Sequence, residues 1–472
     1  MTTETPVRKH DILFSLPNEA ANDLIPEIQE RIKKDSRKVV VLDDDPTGTQ
    51  TVHNIVVLTE WSVQSLEKEL TSDAPAFYIL TNSRSLTLEE SQKLHREIGN
   101  NLKQACANTA AHVEVISRSD STLRGHFPGE VDALAETLGL ASKPYIIAPF
   151  FLEGGRYTIN DIHYVAEGEN LIPAAQTSYA QDAAFGYKHS NLKQWVDEKT
   201  GGRISAQDVT TITLDDLRMG GASRVTAKLV AVREASAVAV NCASYRDMEV
   251  FILGLLEAEA QGCTFLPRTA ASFVQIRAGI QKRELLNKEE LVVENGHGGL
   301  IIVGSYVPKT TAQLKALLTN TAIERIEVKI EHLLDNAMRD VEVMRTTDLA
   351  NLYIKSGKDV VIYTSRELVK GSDAASNLSI GSLISNSLIS IVRNIETQPR
   401  YIIAKGGITS SDVATKGLNI KRALVLGQAL AGVPVWQLGA ESRYPGMSYI
   451  VFPGNVGDEN ALADLQKRLA KD

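Results

Sequence analysis

Three consecutive aspartates, Asp43, Asp44 and Asp45, end the aliphatic run "KVVVL" and lead into Pro46-Thr47-Gly48. Like charges packed together raise the cost of ionising all three. A carboxylate cluster at the end of a core strand holds a metal or takes a proton. A second polar cluster, "SRSDSTLRGH", carries Arg118, Asp120, Ser121, Thr122 and Arg124. Arginine holds carboxylates through a planar fork, while aspartate and serine bond hydroxyls. The mixture suits a small polyhydroxylated anion. A helix cap would need only one of these residues. A third stretch, "APFFLEGGRYTINDIHYV", adds Arg156 behind Gly154-Gly155 and also contains His163, read as a packed helix histidine. The other histidines show no metal-ligand spacing, and no metal site is assigned.

The second half of the chain carries a different chemistry. Strand-like runs turn into helix-like ones through Gly304-Ser305, through Gly406-Gly407-Ile408-Thr409, and through Gly454 and Gly457. Glycines ahead of a helix expose backbone N–H groups and the positive end of the dipole, which suits phosphates. Neither G-x-x-x-x-G-K-[ST] nor a strand-linked G-x-G-x-x-G is present, so a P-loop and a nicotinamide cofactor are not indicated. Three such turns, facing an anion-binding first half, suggest a nucleotide site opposite a substrate site.

The elements that must position these residues are short apolar runs alternating with helical patterns. In the first half they lie at 39–48, 76–85, 112–121, 144–155 and 237–244; in the second at 299–306, 359–366, 400–407 and 434–439. Continuous apolar strands of this kind belong to parallel sheets covered on both faces. Ligands then bind at the carboxyl ends of the strands, where the polar clusters stand. The expected fold is α/β, with two domains of mainly parallel sheet flanked by helices and a ligand cleft between them. The expected limits are an N-terminal helical extension over 1–36, a first domain over 37–285 that carries the anion-binding clusters, and a second domain over 298–472 that carries the nucleotide-suited glycine turns. The boundary is read from the charged stretch ending in Asn295-Gly296-His297-Gly298-Gly299.

A chain of 472 residues exceeds one ordinary core. Its net charge of -8 gives no footprint for nucleic acid, and the basic run "RIKKDSRK" is read as a solvated face. No run reaches the ~18 apolar residues of a membrane span, and "MTTETPVRKHDILFSL" lacks a signal-peptide apolar segment. Cys106, Cys242 and Cys263 are read as reduced thiols. The expected compartment is the cytoplasm. No protein partner is legible, and a homodimer is left open.

Taken together, these motifs resemble the four-carbon acid sugar kinase family from about residue 38 to 465. Its D-D-x-T-G motif appears as Asp44, Asp45, Pro46, Thr47 and Gly48. Its K-x-D-S-T-L-R-G-N motif appears as "RSDSTLRGH", with Arg118 for Lys and His126 for Asn. The P-A-F-P…G-R loop appears as "APFFLEGGR". The G-S-x-S-x-x-T-x-x-Q signature is carried by Gly304, Ser305, Thr310 and Gln313, with Val307 where a Ser is usual. "GGIT" and "GNVG" match two further turns, and Phe452-Pro453 stands where relatives often carry a Lys before the last turn. The resemblance implies ATP with Mg²⁺ and phosphorylation of a terminal hydroxyl of a short or branched sugar acid or 3-oxo sugar acid. It implies Asp44 or Asp45 as base and Thr47, Gly48, Arg118, Asp120, Ser121, Arg124 and Arg156 on the substrate. Ser305, Gly406, Gly407, Ile408, Thr409 and Gly454 would bind nucleotide. Two alternatives stand beside it. One is a haloacid-dehalogenase-like phosphatase using Asp43 and Asp45 in D-x-D-x-T; the other is a non-catalytic sugar-acid or nucleotide-binding regulator.

Overall fold

The computed structural model describes residues 4–293, 297–305, 307–366 and 374–471. Residues 1–3 of the expected extension and the Asn295-Gly296 part of the expected boundary turn lie outside the described residues. The chain forms two compact units, Met1–Lys282 and Arg283–Asp472.

In the first unit a parallel sheet runs in the order Val209–Ile212, Ala237–Val240, Tyr145–Ala148, Leu266–Thr269, Val113–Arg118, Lys38–Asp43, Ala76–Leu80 and Ile55–Leu58. Every residue of Val39–Asp43, Ala76–Leu80 and Tyr145–Ala148 is buried, as expected of strands covered on both faces. The register aligns the strand ends: Asp43 lies beside both Leu80 and Arg118, Arg118 beside Thr269, and Thr269 beside Ala148. One edge of the sheet therefore collects the loops that carry the polar clusters.

A small antiparallel sheet was not legible in the sequence. It joins Val7–Arg8, Asn170–Pro173, Ile162–Glu167 and Arg156–Ile159. His163 lies on one of its strands, not on a helix. The run "RIKKDSRK" is only partly a solvated face. Arg37 is part-buried and pairs with Asp35 at 2.6 Å and Glu259 at 2.8 Å. Cys242 is buried, and all three cysteines are free thiols.

In the second unit Ser448–Phe452, Ile402–Lys405, Leu300–Val303, Val360–Thr364 and Glu324–Val328 run parallel in that order. The run at 434–439 is not another parallel strand. Val433–Leu438 pairs antiparallel with both Arg422–Leu430 and Ser448–Phe452, extending the sheet as a meander. Val303, Lys405 and Phe452 are register partners, so the three glycine turns leave the sheet side by side.

Candidate active site

Asp43 is the last residue of its strand and faces Arg118, the last residue of the next, with Arg118 Nη1 3.3 Å from Asp43 Oδ1 and 3.8 Å from Asp44 Oδ1. The turn beyond the aspartates folds back so tightly that a Cβ on Gly48 would stand 1.9 Å from Asp43 Oδ2. Only glycine fits there. The turn is closed by Thr47, which donates to Asp45 Oδ1 from its backbone N–H at 2.8 Å and from its hydroxyl at 2.5 Å.

Arg84 ties the cluster together. It follows Ala76–Leu80 in a loop that ends at a capping box. There Glu90 N–H donates to Thr87 Oγ1 at 3.3 Å, and Thr87 N–H to the Glu90 carboxylate at 2.9 Å. Arg84 stands 3.3 Å from Asp44, 2.8 Å from Asp45 and 3.4 Å from Asp120. No motif in the sequence marks Arg84, which follows the 76–80 strand in "TNSRS". His126, where relatives carry Asn, is within 2.9 Å of the Leu86 carbonyl and so steadies the same loop.

The aspartates are electrostatically distinct. Burial pushes Asp43 up to about 8 against the opposing pull of Arg118. Burial pushes Asp44 up to about 7, with Arg84 opposing and Glu130 adding to the rise. Neither Asp44 oxygen accepts a hydrogen bond, although both are buried. Asp45 is different: against the upward push of burial, Arg84 and the two Thr47 bonds hold it below the usual carboxylate range. Asp120 is likewise held well below it by Arg124 and Arg84, despite burial.

Arg124 Nε bonds Asp120 Oδ2 at 2.7 Å, and the Thr122 hydroxyl donates to the same oxygen. The Arg124 and Arg156 guanidiniums lie 5.1 and 5.5 Å from the Tyr179 ring centroid. Both side chains are only part-buried, whereas Arg118 is 4% exposed and engaged by Asp43 and Asp44. Ser121 is buried, and its carbonyl meets His163 Nε2 at 2.7 Å. Burial lowers the His163 pKa to about 3, so this histidine is a neutral brace for the loop. The structure thus brings together Asp44, Asp45, Thr47, Gly48, Arg118, Asp120 and Arg124, with Arg156 meeting Arg124 across Tyr179.

In the second unit the glycine turns interlock. A Cβ on Gly304 would be 2.5 Å from Thr409 Oγ1, and one on Gly406, whose φ is +110°, would be 2.8 Å from Ser305 Cβ. Thr310 Oγ1 donates to the Gly454 carbonyl at 3.3 Å, and Gln313 Nε2 to Val456 and Asp458 carbonyls at 2.9 and 2.7 Å. The two signature residues of this helix therefore hold the last turn. Ile408 is 63% exposed, an apolar side chain at the rim of these turns. The sequence reading passed over Lys405, whose buried ammonium donates to the Pro453 and Gly454 carbonyls and lies 4.2 Å from the Phe452 ring centroid. Its place immediately before Gly406 was the available signal.

Among the described residues no three acidic, histidine or cysteine side chains form a metal-binding group. None of the described helices is long and apolar enough to cross a membrane.

Comparison with known proteins matches residues 39–277 to a sugar-binding N-terminal domain and residues 300–462 to a nucleotide-binding C-terminal domain. A D-erythronate kinase of Heliobacterium modesticaldum is 22% identical over 373 residues, covering 76% of this chain and 79% of that protein. Two solved structures share the fold. A protein of Salmonella typhimurium LT2 described as a candidate tRNA synthase superposes with a TM-score of 0.66 at 16% identity, over 91% of this chain and 98% of the other. A Haemophilus influenzae protein from a domain family of unknown function gives 0.62 at 19%, over 91% and 99%.

Proposed function

The chain belongs to the four-carbon acid sugar kinase family and is a carbohydrate kinase; we propose that it transfers the γ-phosphate of ATP to the terminal hydroxyl of a short sugar acid, of four carbons or branched. The observation that carries this reading is the buried Asp44 carboxyl, whose oxygens accept no hydrogen bond, next to the ion-paired Asp45, in a cluster whose Arg124 is part-buried and shares the Tyr179 ring with Arg156. Asp45 stays anionic and orients the acceptor hydroxyl, with Thr47 and Gly48 shaping its approach. Asp44 receives the proton, since a general base works best when its pKa lies near the operating pH. Arg124 and Arg156, converging on Tyr179, hold the substrate carboxylate; Asp120 and Ser121 face its other hydroxyls. Arg118 acts through Asp43 and Asp44.

The Ser305, Gly406–Thr409 and Gly454 turns suit a polyphosphate because they bring the backbone N–H groups of adjacent strand-to-helix turns together. Exposed Ile408 offers an apolar contact for the base. Mg²⁺ would enter with the nucleotide, because Mg²⁺ commonly binds through substrate phosphates and few protein carboxylates. Catalysis is then positioning and charge neutralisation. Asp43 is a poor nucleophile for the phosphatase alternative, being pressed against Gly48 and paired with Arg118.

The test is ADP release from Mg-ATP against a panel of four- and five-carbon aldonic and 3-oxo acids. Acid-dependent ADP formation supports the reading and names the acid. ADP formation that is absent or independent of the acid refutes it.

A further inference from the structure

Lys405 has no exposed surface. Its Nζ donates to two backbone carbonyls, Pro453 and Gly454, which leaves one of its three donors. Among the described residues no carboxylate pairs with it. Buried charges are normally paired, because desolvation of a lone ammonium is costly. Among the described residues, the charged groups on the elements around it do not supply a counter-ion. Lys309, at the start of the Pro308–Asn320 helix, has the same sign and is the one charge with a resolved effect on it. Arg366 donates to the Ser305 carbonyl, Asp412 is engaged by Ser385 and Lys416, and Asp458 stands beyond the Gly454 turn, where its backbone carbonyl takes the Gln313 amide. The Tyr449 hydroxyl donates to the Ser410 carbonyl. Among the described residues the Lys405 ammonium thus has no carboxylate partner at the point where the Gly406 and Gly454 turns leave the sheet.

We propose that Lys405 is the positioning cation of the nucleotide site. It draws the Pro453 and Gly454 carbonyls inward, away from the phosphates, and supplies the field that the nucleotide's phosphates neutralise. The inference rests on the ATP reading above. Burial, with Lys309 adding, lowers the ammonium pKa to about 7. An incoming polyanion favours the charged form, so nucleotide binding should take up a proton when the pH is above that value.

The test compares Lys405→Met and Lys405→Arg with the unaltered chain, measuring AMP, ADP and ATP affinity by calorimetry from pH 6 to 8.5. The unaltered chain should gain affinity from AMP to ADP to ATP, and ADP affinity should fall as pH rises through about 7. Lys405→Met should lose at least tenfold in ADP affinity relative to AMP and lose the pH dependence. Its melting temperature should fall in either case, because the Pro453 and Gly454 carbonyls lose their buried donor. Lys405→Arg should keep part of the affinity without the pH dependence, because guanidinium does not titrate there. A structural lysine would instead leave the ADP-to-AMP affinity ratio and the pH profile of binding unchanged in Lys405→Met. That pattern overturns the proposal. If Lys405→Met does not fold, a Lys405→Arg chain with an unaltered pH profile overturns it as well. Absence of nucleotide binding by the unaltered chain would instead remove the ATP reading itself.

Discussion

Gly48 and the Asp43 carboxylate are in contact so close that a Cβ at residue 48 would stand 1.9 Å from one carboxylate oxygen and 2.1 Å from the other. The turn proposed to shape the acceptor site is thereby built directly on the buried Asp43 carboxylate. Gly48→Ala must displace either the turn or the carboxylate. Overpacking of this kind costs about 1–3 kcal/mol. We expect a melting temperature lower by several degrees, and turnover reduced more than acid binding. Unchanged melting and turnover would show that the contact is not a constraint.

If Asp44, pushed up to about 7 by burial, is the base, its deprotonation sets the acid limb of activity. A base must be unprotonated to work, so kcat/KM should fall as pH drops below about 7. Asp44→Asn should lose about 10²- to 10⁴-fold, the usual worth of a general base. Arg84 lowers the Asp44 pKa. Removing it in Arg84→Met should therefore move the limb to higher pH as well as slow turnover. A limb that stays in place in Arg84→Met would take Asp44 out of the role of base.

Asp43 makes a separate prediction about stability. Its folded pKa of about 8 lies above its unfolded value of about 3.9. Between those values the folded chain holds a proton that the unfolded chain has released. Its contribution to stability is therefore full at low pH and lost as pH rises toward 8, by at most about 1.4 kcal/mol per pH unit. Asp44 adds a similar slope up to about 7. Melting curves from pH 5.5 to 8.5 should show Asp43→Asn less sensitive to rising pH than the unaltered chain. Parallel curves would contradict the assignment.

Arg124 and Arg156 face one ring, Tyr179, from 5.1 and 5.5 Å. If both hold the carboxylate, each single alanine variant should raise KM for the acid about 10- to 100-fold, the worth of a charge-assisted hydrogen bond of about 1.5–3 kcal/mol. KM for ATP should stay put. Titration of acid binding by calorimetry checks this, and an equal effect on both substrates would point to general damage.

Much of this arrangement was legible because it lies on uninterrupted apolar strands. Val39–Asp43, Tyr145–Ala148 and Ile402–Lys405 announce themselves by β-branched and aliphatic runs, and their polar termini mark the sheet edge. Leu266–Thr269 was silent because "LPRT" holds a proline and an arginine within four residues. The small sheet was silent because Arg156–Ile159 and Asn170–Pro173 are short and surrounded by turn residues. Val433–Leu438 looked like its parallel neighbours because a run buried on both faces carries no mark of direction. Arg84 and Lys405 escaped for another reason. Their roles depend on partners in loops beyond other strands, Asp120 for one and Pro453 for the other, that only the fold brings near.

The most direct test of the account is phosphorus NMR of Mg-ATP incubated with the chain and each four-carbon aldonic acid. The account predicts ADP together with one new phosphomonoester whose phosphorus couples to the protons of a terminal CH₂. ATP left intact with every acid, or conversion only to ADP and inorganic phosphate, would contradict it.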